Sequence, residues 1–217
     1  MANENSNLAR HAAPLPADEA QPPAEKRTVP RRQANTVYRG REHLTADEVA
    51  AMVKAARQHG RYGQRDAAAI LLTYRHGLRV SELCALRWDQ VNLKDRTIAT
   101  LRAKAGIAGL HPLQTDELRA LGALAAVRSP GAIHVLENER GGALKPGAVR
   151  KIVARAGVLA KLELPVHPHM LRHACGFALA NKGKDTRLIQ DYLGHRSIAA
   201  TARYTALAAG RFANLWD

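Results

Sequence analysis

The stretch HPHMLRHACG, residues 167–176, puts three histidines and an arginine within seven residues, at the head of an apolar helical pattern. His169 and His173 are four apart and share one helix face. Imidazoles at that spacing suit zinc, with His195 as a third ligand. The same segment carries Arg172, three residues from His169, and a planar guanidinium matches the oxygens of a phosphate. HMLRH lacks the glutamate of the HExxH zinc pattern, and an arginine in the site repels a metal cation. A phosphate site is therefore favoured, and no metal is expected.

Further polar residues stand where a helical pattern should be bland. Arg79 follows Gly77 and Leu78 at a turn in HGLRVSEL, and Glu82 lies one helical turn on, within reach of its guanidinium. Two positioned arginines, Arg79 and Arg172, can grip the non-bridging oxygens of one phosphate. Lys104 sits on a Gly-containing hairpin turn. His195 follows the glycine that ends a helix, in YLGHRS, so its ring projects from a loop. Tyr204 lies in ATARYTAL. Each residue alone has a bland reading as a solvated loop cation or a half-buried helical aromatic. The set together points to chemistry.

These residues need elements to hold them. From Leu44 onward the chain reads as mostly helical. LTADEVAAMVKAARQ opens on Thr45 with Glu48 three residues later, a capping box, and its apolar positions keep helical spacing. RDAAAILLTYRHG is a second helix closed by Gly77, and VSELCALRW a short third. RTIATLRAKAGIAGLHPL gives two strand-like runs around a turn, a small hairpin. TDELRALGALAAV is helical, AIHVLE a short strand, and KPGAVRKIVARAGVLA a helix with Pro146 in its first turn. HMLRHACGFALANKG, DTRLIQDYLG (capped by Asp185 and Gly194) and SIAATARYTAL complete the pattern, before a short ending GRFANLWD. The fold class is mainly α with a small β-hairpin or sheet, α+β, in one domain over 41–217. Residues 1–40 are rich in Pro, Ala and charge and read as a disordered basic arm.

Charge bounds the partner. Thirty-three Lys and Arg against nineteen Asp and Glu leave +14, an excess that suits a polyanion. In the arm, Lys26, Arg27, Arg31 and Arg32 are candidates for tracking phosphates, and so are Arg150, Lys151 and Arg155 on a basic helix. No apolar run approaches the ~20 residues of a membrane span, and no signal region opens the chain. Cys84 and Cys175 have no CxxC neighbour and read as free, buried thiols of a reducing compartment, the cytoplasm.

HGLRVSELCALRW, RAKAGIAGLHPL, HPHMLRHACGFALA, DTRLIQDYLGHRS and TARYTA, in that order, resemble the successive boxes of the tyrosine recombinase (phage integrase) family. The short Fim-type members, which invert a promoter segment in fimbrial phase variation, are the most similar in HPHMLRHACGFALANKGKDTRLIQDYLGHRS and in the ending. The resemblance covers roughly Leu44 to the C-terminus and implies the recombinase catalytic-domain fold. It implies Tyr204 as nucleophile, forming a 3′-phosphotyrosyl link without metal, ATP or other cofactor. Arg79 and Arg172 would clamp the scissile phosphate, and Lys104 would protonate the leaving 5′-oxygen. His169 would accept or hold the tyrosine proton, His195 would bond a phosphate oxygen, Glu82 would support Arg79, and His173 would be a buried structural hydrogen-bonder.

Two departures from the family stand out. The lysine turn reads KAGIAG, where many members have two lysines. No separate DNA-clamping domain is expected before the catalytic one, since only some 40 residues rich in Pro, Ala and charge stand there. The implied partners are double-stranded DNA with inverted or direct repeats and three further protomers in a tetramer. Accessory DNA-bending proteins are compatible with this, and Phe212, Leu215 and Trp216 are expected to anchor the C-terminal segment. Integration or excision of a mobile element, type IB topoisomerase chemistry, or a non-catalytic helix-turn-helix regulator are the alternatives.

Overall fold

A computed structural model describes residues 41–102 and 109–208. Helix α1 (Ala46–Gln58) begins at the expected capping box: the Glu48 N–H donates to Thr45 Oγ1 at 3.2 Å, and the Thr45 N–H donates to Glu48 Oε2 at 2.8 Å. Satisfying these end N–H groups contributes about 1 kcal/mol. Helix α2 (Gly63–His76) is buried along eight consecutive positions, Asp66 to Thr73, as befits a central helix with neighbours on several sides. It packs against α1, α4 (Thr115–Val127) and α6 (Pro168–Asn181). Gly77 ends α2 in the left-handed conformation, φ 58° and ψ 34°. A Cβ there would lie 2.3 Å from Leu193 Cδ2, so only glycine lets the two segments meet.

After the short α3 (Val80–Ala85) and a 3₁₀ turn at Trp88–Gln90 comes an antiparallel sheet in the order β1 (Val91–Asn92), β2 (Thr97–Thr100), β3 (Gly109–Pro112). The expected hairpin is β2 and β3, paired Thr97 with Pro112 through Thr100 with Gly109. β1, two residues long, adds a strand that no alternation of apolar residues announces. The sequence AIHVLE is not a strand of this sheet. It pairs only through isolated bridges, Arg87 with His134 and Glu137 with Ala143. Three residues of apolar character suffice for a strand pattern, but Val135 and Leu136 are here inward-facing loop residues of the core.

Helix α5 (Pro146–Leu159) starts at Pro146, whose missing N–H is no loss in the first turn. Helix α7 (Thr186–Leu193) is capped by Asp185, which accepts from the N–H groups of Arg187 and Leu188, both at 2.9 Å, and it ends at left-handed Gly194. Helix α8 (Ala199–Ala206) closes the described chain. The main core gathers α1 to α6. A smaller cluster joins Cys175, Ala180, Ile189 and Leu193 to Tyr204. Both cysteines are free and buried, and burial pushes the Cys84 thiol up to about 11 and the Cys175 thiol up to about 12. Among the described residues no helix is long and apolar enough to cross a membrane.

Candidate active site

Two helix C-termini meet at the site, and three arginines sit on them. The last carbonyls of a helix lack partners and carry the negative end of its dipole. At the end of α2, Arg102 Nη2 donates to the His76 carbonyl at 3.2 Å, and Arg172 Nη1 donates to that of Gly77. At the end of α7 the carbonyls of three consecutive residues are taken. Arg102 donates to Tyr192, Arg172 Nη2 to Leu193 at 2.7 Å, and Arg79 Nη2 to Gly194 at 3.5 Å. Arg172 is 1% exposed, one of the largest fully buried side chains. Burial, with Arg79 and Arg102 beside it, lowers its pKa to about 10, so it stays charged at neutral pH.

Glu82 binds two of these guanidiniums. Its Oε1 accepts from Arg79 Nη1 at 2.6 Å and its Oε2 from Arg102 Nη1 at 3.1 Å. The Arg79 N–H also donates to Oε2 at 2.9 Å, which fixes the start of α3. Burial works to raise the Glu82 pKa, but the Arg79 N–H and the two guanidiniums outweigh it and hold the carboxyl below its ordinary value. Arg79 is the most open of the three, with a side chain 30% exposed against 1% for Arg102.

Tyr204 lies across the site on α8, 1% exposed. Gly176 makes room for it: a Cβ there would stand 2.6 Å from Tyr204 Cε2. The Phe177 ring meets it edge-on with centroids 5.1 Å apart. Its hydroxyl is 2.8 Å from His173 Nδ1, and Arg203 Nη2 is 3.0 Å from the same nitrogen. Arg203 Nη2 also lies 3.2 Å from His173 Nε2, and a neutral imidazole carries its N–H on one nitrogen, so the phenol donates to Nδ1 in the Nε2–H tautomer and accepts from it in the other. Burial raises the Tyr204 pKa above its ordinary value against the pull of Arg203 and Arg172. Burial and then the neighbouring His169 and Arg203 press His173 down to about 3. Its neutral ring is therefore the stable form.

His169 sits against His173 edge-on, centroids 4.4 Å apart, and is itself held below its ordinary pKa by desolvation and by Arg172. His195 approaches from the loop after Gly194. Its Nδ1 is 2.8 Å from the Thr201 hydroxyl and its ring lies nearly parallel to Tyr204 at 6.2 Å. Burial and the arginines lower it to about 4. The structure thus gathers Arg79, Glu82, Arg172, His169, His173, His195 and Tyr204 around one centre. The hydrogen-bond partner of the phenol is His173, and His169 packs against His173. Lys104 and the arm residues Lys26, Arg27, Arg31 and Arg32 lie outside the described residues, as do Phe212, Leu215 and Trp216. Arg150, Lys151 and Arg155 are exposed on α5, and Arg155 turns to Asp66 near the start of α2.

Residues that the sequence reading did not single out complete the site. Arg102 was detectable by parity, since the two-residue period of β2 puts it on the face of buried Ile98 and Thr100. Arg203 and Thr201 have no signal beyond their nearness to Tyr204. Behind the α2 end, His76 Nδ1 meets His111 Nδ1 at 3.2 Å, and His76 Nε2 lies 2.6 Å from Glu117 Oε1, off the line a hydrogen bond needs.

Residues 42–211 match the phage integrase family. The chain belongs to that family and is a tyrosine recombinase. It is similar to the type 1 fimbriae regulatory protein FimE of Escherichia coli K12, 45% identical over 182 residues that make up 82% of this chain and 91% of FimE. It is also similar to FimB of the same strain, 44% identical over 181 residues, 82% of this chain and 90% of FimB. Among solved structures, the XerA recombinase superposes with a TM-score of 0.69 at 25% identity, covering 80% of this chain and 63% of XerA.

Proposed function

We propose that this recombinase cuts and rejoins DNA through Tyr204 and inverts a segment lying between short repeats. The observation that carries this reading is the gathering of Arg79, Arg172 and His195 near a buried tyrosine whose hydroxyl is already hydrogen-bonded to an imidazole. Tyr204 Oη attacks the phosphorus, the bond to the 5′-oxygen breaks, and a 3′-phosphotyrosyl bond replaces it. The phosphodiester energy is kept in that bond, so resealing by the 5′-hydroxyl needs no nucleotide. A tyrosine whose pKa lies at or above ~10 is a poor nucleophile at neutral pH. The arginines offset this by binding the phosphate and the charge that builds on it in the transition state. The phenol proton passes to the His173–His169 pair, His195 donates to a phosphate oxygen, and Lys104 protonates the departing 5′-oxygen. Because Tyr204 is closed off in this structure, α8 must shift for a phosphate to reach it.

A net charge of +14 supports double-stranded DNA as the partner. Exchange of two strands at each of two sites calls for four tyrosines, hence a tetramer on DNA, with accessory DNA-bending proteins compatible with it. The 1–40 arm and the exposed α5 cations add phosphate contacts outside the site, and the reaction takes place in the bacterial cytoplasm. The similarity to the Fim regulators favours inversion over integration. The test is a duplex with a nick beside the cleavage point, built on short inverted repeats sought in the DNA flanking the gene. The protein should form a covalent adduct with it, and Tyr204→Phe should bind the duplex and form none. Adduct formation by Tyr204→Phe would overturn the assignment.

A further inference from the structure

Arg102 stands just beyond β2 with its side chain 1% exposed. Burying a guanidinium costs several kcal/mol unless its donors find partners. Arg102 finds three, on three different elements: Glu82 of α3, the His76 carbonyl of α2 and the Tyr192 carbonyl of α7. The α7 end is shaped around it. A Cβ on Gly194 would stand 2.7 Å from Arg102 Cγ and 3.0 Å from its Nε. Desolvation lowers its pKa while Glu82 pulls it back up.

The electrostatic consequence falls on Arg79. A lone Arg79–Glu82 pair is neutral, and a neutral pair attracts a phosphate weakly. With Arg102 on the second carboxylate oxygen the group of three carries a net positive charge, and Glu82 still fixes the direction of Arg79. We propose that Arg102 is a positioning residue for strand cleavage, sharing the Glu82 carboxylate so that Arg79 is held in place while keeping its charge for the scissile phosphate. This rests on the reading of Arg79 as a phosphate clamp.

The test is the single-turnover rate of adduct formation on the nicked duplex at saturating DNA, with DNA affinity measured by fluorescence anisotropy, in the full chain. Arg102→Lys keeps a cation but loses the fork. It should slow cleavage about 30-fold or more and change affinity less than about threefold, because the loss falls on the transition state. In an Arg79→Ala background, followed over hours, the same substitution should cost less than about threefold further, as expected for two residues acting through one interaction. A merely structural role gives the same loss in both backgrounds, and that result, or a wild-type rate for Arg102→Lys, overturns the proposal.

Should Arg102→Lys not fold, Glu82→Gln carries the test. Adding Arg102→Met to it removes no partner of a buried carboxylate and should change the rate less than about threefold, whereas a large further loss overturns the proposal. Wild-type cleavage by Arg79→Ala would instead defeat the clamp reading itself.

Discussion

The two ends of α2 use the same device for different ends. Near its start, Asp66 is 1% exposed and lies between Arg65, on Oδ1 at 2.8 Å, and Arg155 of α5, on Oδ2 at 2.5 Å. Past its finish, Glu82 lies between Arg79 and Arg102. About 16 Å of helix separates Asp66 from Gly77. Around Asp66, Arg155 is open to solvent, its side chain 52% exposed, and the arrangement ties α5 to α2. Around Glu82 the second arginine is buried, and a third, Arg172, joins it on the carbonyls of two helix ends with Tyr204 and three histidines alongside. A carboxylate between two arginines is therefore not a site in itself. What sets the Glu82 end apart is that its guanidiniums are held on fixed backbone dipoles beside a buried tyrosine, which in the proposed mechanism leaves little reorganisation when charge develops.

The sharpest way to break this contrast is to alter Arg172, the most buried of the three arginines. Arg172→Lys keeps the charge but cannot hold the Gly77 and Leu193 carbonyls together. Adduct formation should fall about 10²- to 10³-fold, the range seen when one oriented donor to a developing oxyanion is lost. Gel quantitation of trapped adduct reads it.

A second prediction concerns pH. His111 and His173 are lowered to about 3 and His195 to about 4, all by burial first. A histidine of lowered folded pKa contributes stability that is full above its unfolded value near 6.5 and is lost as pH falls toward the folded value. Urea midpoints should therefore drop steadily from pH 7 to pH 4. His111→Gln, which removes one of these groups next to His76, Arg102 and Tyr192, should make that slope shallower; an unchanged slope would show that His111 does not titrate between the folded and unfolded states.

The smallest effect is expected at the other end of α2. Arg155→Ala should leave the cleavage rate at saturating DNA unchanged and weaken affinity by less than about tenfold, with a salt slope shallower by about one, if that cation neutralises a single phosphate. Anisotropy titrations across a salt series measure both.

Much of this molecule was readable from local chemistry. The Thr45 box, the Asp185 cap and the two glycines at 77 and 194 declare helix ends through groups within three or four residues, and the structure has all of them. The order of Arg79, Glu82, Arg172, His195 and Tyr204 along helices and their caps was likewise visible. What was not visible depends on distance in the chain. Asp66 meets Arg155 across 89 residues, and His173 meets Tyr204 across 31, and no local pattern encodes either contact. The two-residue strand β1 exists only because β2 offers it partners. Arg102 was hidden by its type, since an arginine beside a turn normally points outward and only the parity of β2 says otherwise.

The most direct test compares the two carboxylates on one substrate. Glu82→Gln and Asp66→Asn are assayed for single-turnover adduct formation on the nicked duplex, below the melting temperature of both. Breaking either buried pair should cost stability, about 3 kcal/mol or more at Asp66. The rates should separate: Glu82→Gln slower by about 10²-fold, as for a lost catalytic orientation, and Asp66→Asn within a factor of about three, as for a distant site that acts independently. Equal losses at the two positions would contradict the account, because they would mean that the Glu82 cluster only holds the fold together.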